Sequence, residues 1–109
     1  MKLLIAGSRG ITSFDLSEYI TEDVDTILTG GAKGIDTIAE EYADSHGIKK
    51  TIIKPQYDRY GKGAPMVRNK ELVNLCDKAL IIWDGVSKGT KFTADFAKKM
   101  NKEVTVIII

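Results

Sequence analysis

Short unbroken apolar runs alternate along this chain with longer stretches in which apolar residues recur every three or four positions. A short continuous apolar run is what a strand buried on both faces of a parallel sheet needs. Such runs fall at Leu3–Ala6, Thr26–Thr29, Thr51–Lys54, Ala79–Trp83 and Val104–Ile109, and each predicts a strand. The helical period is clearest from Ile35 to His46. There Ile35, Ile38, Ala39, Tyr42 and Ala43 share one side, Glu40, Glu41 and Asp44 the other, and Gly47 marks the end. Pro65 suits the first turn of a helix reaching Cys76. Phe92, Phe96 and Met100 are in register over Thr90–Met100. A shorter helix is expected over about residues 13–20, with Ser13 as N-cap and Asp15 in its first turn, and Gln56–Gly63 reads as a polar loop. Strands alternating with helices through short connections argue for one α/β domain: a five-stranded parallel sheet with helices on both faces.

Three of the strand-to-helix junctions are rich in glycine: Gly7-Ser8-Arg9-Gly10, Gly30-Gly31-Ala32-Lys33-Gly34-Ile35-Asp36 and Gly85-Val86-Ser87-Lys88-Gly89-Thr90. In such a fold all three lie at the carboxyl edge of the sheet, where ligands bind. Glycine lets a ligand approach bare N–H groups, and a helix start behind it adds aligned donors and positive dipole charge. The expected ligand is an anion, most simply the phosphate of a nucleotide. None of the turns fits a standard fingerprint. Gly30 is followed five residues on by Ile35, where a Walker A loop needs glycine and lysine, and Gly7–Gly10 lacks the earlier glycine of a dinucleotide motif. Arg9 and Arg68 offer planar forks suited to phosphate or carboxylate. Ser8, Ser87 and Thr90 suit phosphate contact and helix capping equally. Asp36 suits an N-cap, a ribose hydroxyl or the ordering of its glycine loop. Trp83 and Tyr57 suit stacking on a base, and Trp83, at a strand end, suits the core as well. His46 and Cys76 read as structural, and no Cys/His cluster points to a metal.

Composition sharpens this picture in two ways. The 109 residues, 43% apolar, suffice for one core, while 28% charged residues with a net charge of +1 argue against a general affinity for polyanions. Yet residues 7–13, 30–36, 55–69 and 84–91, the expected carboxyl-edge loops, hold seven basic and three acidic residues, a net +4. Positive charge is concentrated where the glycine turns converge. The single cysteine excludes an internal disulfide, the apolar run after Met1-Lys2 is too short for a signal peptide, and no run approaches the roughly 18 residues of a membrane span. The expected compartment is the cytoplasm.

Taken together the motifs resemble the SLOG superfamily of Rossmann-like domains, and within it the YspA-like (cpYpsA-related) family. The matching pieces are Gly7-Ser8-Arg9, Gly30 through Asp36, Tyr57-Asp58-Arg59, Gly61-Lys62, Ala64-Pro65, Arg68-Asn69, Trp83-Asp84-Gly85 and Ser87-Lys88-Gly89-Thr90. The resemblance implies a sheet ordered 3-2-1-4-5 with a pocket between strands 1 and 4. It also implies a nucleotide or nucleotide-derived ligand bound by Gly7, Ser8, Arg9, Gly30, Gly31, Asp36, Arg68, Asn69, Ser87, Gly89 and Thr90. The superfamily includes phosphoribohydrolases that cut a base from a nucleoside monophosphate, and proteins that bind single-stranded DNA. In the phosphoribohydrolases glutamates follow the glycine-threonine turn closely; here Lys91, Phe92 and Thr93 follow Thr90. The expected catalytic carboxylate is missing, which leaves Asp36 and Asp84 as substitutes.

The leading expectation is therefore a binder or sensor of a nucleotide phosphate. One alternative is a hydrolase of N-glycosidic bonds. The other is a single-stranded nucleic-acid binder, which the near-neutral charge disfavours. In the implied strand order the apolar fifth strand lies at an edge, which predicts a homodimer through that strand or the neighbouring helices.

Overall fold

A computed structural model describes all residues, Met1–Ile109. Its five strands, β1 (Lys2–Gly7), β2 (Thr26–Thr29), β3 (Lys49–Ile52), β4 (Lys78–Trp83) and β5 (Glu103–Ile108), form one sheet. Every pairing is parallel, and the order is β3-β2-β1-β4-β5, as expected. The helices are α1 (Ile35–Ser45), α2 (Tyr57–Tyr60), α3 (Ala64–Leu75) and α4 (Lys88–Lys99), with a 3-10 turn at Gly61–Gly63 between α2 and α3.

Strand alternation divides the core. Leu3, Ile5, Ile27, Leu80 and Ile82 point to one face and meet Ile35, Ala39 and Ala43 of α1. Leu4, Leu28, Ala79 and Ile81 point to the other and meet Leu72 and Val73 of α3 and Ala94 and Ala97 of α4. The chain builds β1-β2-β3 outward on one side and then returns to place β4 against β1. The topological switch therefore lies between β1 and β4, where strand ends open a crevice.

The expected helix over residues 13–20 is absent: the segment is irregular, with a turn at Ser17–Tyr19. Asp15 Oδ1 accepts hydrogen bonds from the Ser17 N–H at 2.9 Å and from the Ser17 hydroxyl at 2.6 Å. That local turn competes with a helix for the same backbone. The loop still completes the α1 face, because Ile11, Leu16 and Val24 are buried from it and Phe14 stacks on Tyr19 at 5.7 Å. β3 lies two residues earlier than expected, since Lys49–Ile52 pair with Thr26–Thr29. It is an edge strand with Lys49, Lys50 and Thr51 exposed, so polarity masks it in the sequence. Residues 57–60, expected as loop, form the single turn α2, anchored by Arg59 and Tyr60 N–H groups donating to the Gln56 carbonyl. Gly47 follows α1 with φ of 65°, and Pro65 lies in the first turn of α3. No helix is long and apolar enough to cross a membrane.

The β1 end packs tightly. A Cβ on Gly7 would sit 2.4 Å from the Ile82 carbonyl oxygen and 2.6 Å from Ile35 Cγ1, whereas one on Gly10, three residues on, would meet nothing within 4 Å. Gly7→Ala is therefore expected to cost about 1–3 kcal/mol by forcing β1, β4 and α1 apart, and Gly10→Ala less than about 0.5 kcal/mol. Urea unfolding of the two variants checks this; equal midpoints would contradict the packing described.

Candidate functional site

The chemistry of the crevice begins with how α4 starts. Asp84, just beyond β4, accepts hydrogen bonds at Oδ1 from the N–H groups of Val86 (2.9 Å) and Ser87 (2.8 Å). The Ser87 hydroxyl also donates to this carboxylate, at 2.8 Å from Oδ2. Ser87 stands at the N-cap of α4 but caps nothing, because its hydroxyl is committed to Asp84. The first intrahelical bond of α4 runs from the Lys91 N–H to the Ser87 carbonyl, so the N–H groups of Lys88, Gly89 and Thr90 find no acceptor in the chain. Trp83 props the same turn by donating from its indole N–H to the Ser87 carbonyl at 3.0 Å.

In front of these donors lies a cleft of about 320 Å³. Its walls come from the end of β1 (Ala6, Gly7, Arg9, Gly10), the start of α1 (Ala32, Asp36), α3 (Pro65, Arg68, Asn69) and α4 (Ser87, Gly89, Thr90, Thr93). Eight of the expected binding residues thus share one wall: Gly7, Arg9, Asp36, Arg68, Asn69, Ser87, Gly89 and Thr90. Three do not. Ser8 is buried at 1% exposure; its hydroxyl accepts from the Asp84 N–H at 3.0 Å and its carbonyl accepts from Ile11 and Ile35. It ties three loops together and does not line the cleft. Gly30 and Gly31 border a second hollow next door. Asp84, an expected substitute carboxylate, is absent from the cleft wall and organises the α4 turn instead.

Arg68 is the best-buried cation of the site, 7% exposed. Nη1 donates to the Gly30 carbonyl at 2.6 Å and more loosely to the Ile53 carbonyl at 3.4 Å, and Nε donates to Asn69 Oδ1 at 2.7 Å. Nη2 has no partner in the chain. Gly30 is required for this approach, since a Cβ there would lie 2.5 Å from Nη1. Burial pulls the Arg68 pKa down, the Asp36 carboxylate opposes that, and repulsion from Arg9 adds to it. Arg9 itself is exposed and makes no ion pair.

Asp36 lies inside α1 rather than at its cap, which is Gly34. The carboxyl is 7% exposed and accepts the Ala32 N–H at 3.1 Å, which orders the glycine loop. Burial raises its pKa above the ordinary carboxylate value, against the opposing pull of that N–H and of Arg68. It is the only acidic side chain on the cleft wall. Ala6, Gly10, Ala32, Pro65 and Thr93 complete the wall; none was singled out as a binding residue, since four have no polar side-chain group and the Thr93 hydroxyl donates to the Gly89 carbonyl at 3.0 Å. Their one signal was position, immediately beside the glycine turns. Of the edge-loop cations, Lys91 pairs with Asp95 at 2.7 Å and Arg59 lies over the Tyr60 ring at 5.2 Å, so neither serves the cleft.

Comparisons with protein-family models, curated proteins and solved structures return no match. The site is therefore read from its own geometry.

Backbone hydrogen bonds and the Ser87 hydroxyl hold the Asp84 pKa down at about 2, from an ordinary 3.8. A carboxylate depressed in the folded state adds stability above its unfolded pKa and loses it as pH falls through the folded value. Asp84→Asn should therefore flatten the loss of stability between about pH 4 and pH 2. Urea midpoints measured across that range check this; parallel profiles for variant and wild type would contradict it.

Proposed function

We propose that the chain binds a nucleotide or nucleotide-derived phosphate in the cleft between β1 and β4. The observation that carries this reading is the uncapped start of α4, facing the buried guanidinium of Arg68 across the cleft. Free helix N–H groups with an opposed cation form an anion site, and phosphate matches both. The cleft volume falls at the small end of ordinary ligand sites. Gly89 supports the reading further. A Cβ there would meet nothing within 4 Å, and its φ is not positive, so the fold does not require glycine. Alanine would favour the helix by up to about 1 kcal/mol; glycine instead keeps the donors bare. The likeness of the glycine turns to SLOG domains is what favours a nucleotide as the carrier of the phosphate.

A second reading, hydrolysis of an N-glycosidic bond, draws on Asp36 as the sole cleft carboxylate. Product analysis with nucleoside monophosphates separates the two: released base, lost in Asp36→Asn with binding retained, would establish the enzyme. We also read the exposed β5 edge, with Ile108 at 64% and Ile109 at 57% exposure, as a self-association surface. Light scattering should then give a mass above the 12.0 kDa monomer at micromolar concentration; a monomer at every concentration would overturn it.

For the binding itself, nucleotides at 100 times their dissociation constant should stabilise the fold by about 2.7 kcal/mol, a melting shift of several degrees, and matching nucleosides by less. Gly89→Val should abolish the shift while changing the stability of the free protein by less than about 1 kcal/mol. No shift across a broad nucleotide panel, or an unchanged shift in Gly89→Val, would contradict the proposal.

A further inference from the structure

Beyond Arg68 the cleft continues into a second hollow of about 470 Å³. The two hollows share Arg9, Ala32 and Arg68, so both arginines line both hollows. The second hollow adds Lys33, Tyr57 and Gly31 to its wall and contains no acidic side chain. Arg9 and Lys33 make neither an ion pair nor a side-chain hydrogen bond. Arg68 forms no ion pair either; the residue is more than nine-tenths buried, but Nη2 keeps access to solvent and has no partner in the chain. Three positive charges thus converge on a space whose wall holds no acidic side chain; Asp36, the one carboxylate that acts on Arg68, lines the first cleft. Arg9 lies close enough to Arg68 to depress its pKa by repulsion, and an anion lodged against both would relieve that repulsion.

One phosphate at the start of α4 leaves this second set of donors unused. We propose that the ligand carries two linked phosphates, one before α4 and one in the second hollow against Arg9, Arg68 and Lys33. This rests on the nucleotide-phosphate reading above and narrows it to a nucleoside diphosphate or a pyrophosphate-linked nucleotide. The shared lining favours directly linked phosphates, because the two hollows meet at the same two arginines rather than at separate ends of the molecule. Arginine forks can bind one oxygen from each of two neighbouring phosphates. The half-exposed Tyr57 ring on the outer wall offers an apolar face for the nucleoside beyond the second phosphate.

The test uses the full chain and base-independent probes. Calorimetric titration with inorganic phosphate and inorganic pyrophosphate, at about 0.1 M salt so that screening is fixed, is run beside adenosine and guanosine mono- and diphosphates. Each diphosphate should bind at least about tenfold more tightly than its monophosphate counterpart, a difference of about 1.4 kcal/mol. Lys33 is exposed and unpaired, so Lys33→Ala should fold normally. It should remove most of the diphosphate advantage and leave monophosphate affinity within about twofold. Equal affinity for mono- and diphosphate, or a diphosphate preference untouched by Lys33→Ala, would overturn the second site and leave the first standing. If no phosphate compound binds, both readings fall together.

Discussion

A buried guanidinium without a carboxylate partner organises this molecule. Removing a charge from water costs several kcal/mol unless hydrogen bonds or an opposite charge offset it. Arg68 is compensated by carbonyl oxygens instead of an ion pair: Gly30 at 2.6 Å, Ile53 at 3.4 Å and the Asn69 side chain at 2.7 Å. Those contacts tie α3 to the ends of β2 and β3 and dictate glycine at position 30. They form no ion pair, and the Asp36 carboxylate offsets the charge only through space. The result is a positive group on the wall of the crevice at the switch point of the sheet, with both N–H groups of Nη2 free of any partner in the chain.

Around that group the polar side chains have unexpected duties. Hydroxyls and carboxylates near a phosphate site are usually the first candidates for ligand contact. Here Ser8, Ser87 and Asp84 bind one another's loops: the Asp84 N–H donates to Ser8, and the Ser87 N–H and hydroxyl donate to Asp84. Their work is to hold the β1 and β4 loops in place and to withdraw the natural cap of α4. What they leave is backbone, the free N–H groups at the start of α4, where Gly89 and Thr90 line the cleft together with two arginines. Rigid donors of this kind need no reorganisation when an anion arrives. Asp36 sets the opposite limit. Its raised pKa records the cost of a carboxylate buried in the same cleft, and that cost orders the glycine loop through the Ala32 N–H.

The sheet was legible in the sequence because buried parallel strands are written as apolar runs, and α1 and α4 because their faces are periodic. The residues of the cleft were legible because glycine turns mark strand ends. What the sequence concealed has local causes. The segment from Ser13 to Ile20 has the composition of a short helix, but Asp15 captures the backbone of Ser17 and stops it. β3 hides because an edge strand protected by lysines lacks an apolar run. The true roles of Ser8 and Asp84 were hidden for a different reason: whether a hydroxyl points at a ligand or at a neighbouring loop depends on contacts 76 residues apart in sequence. Arg68 was identified by residue type, but its burial and its dependence on Gly30 emerge only from the packing of α3 against β2.

The central claim is that the start of α4 is a waiting anion site. Nitrogen-15 NMR titration with inorganic phosphate tests it most directly, because it reads the amides themselves. The account predicts saturable shifts largest at the Lys88, Gly89 and Thr90 N–H signals, with the Arg68 side-chain Nε signal moving in parallel. Shifts spread evenly over exposed lysines, or confined to residues outside the cleft, would contradict it.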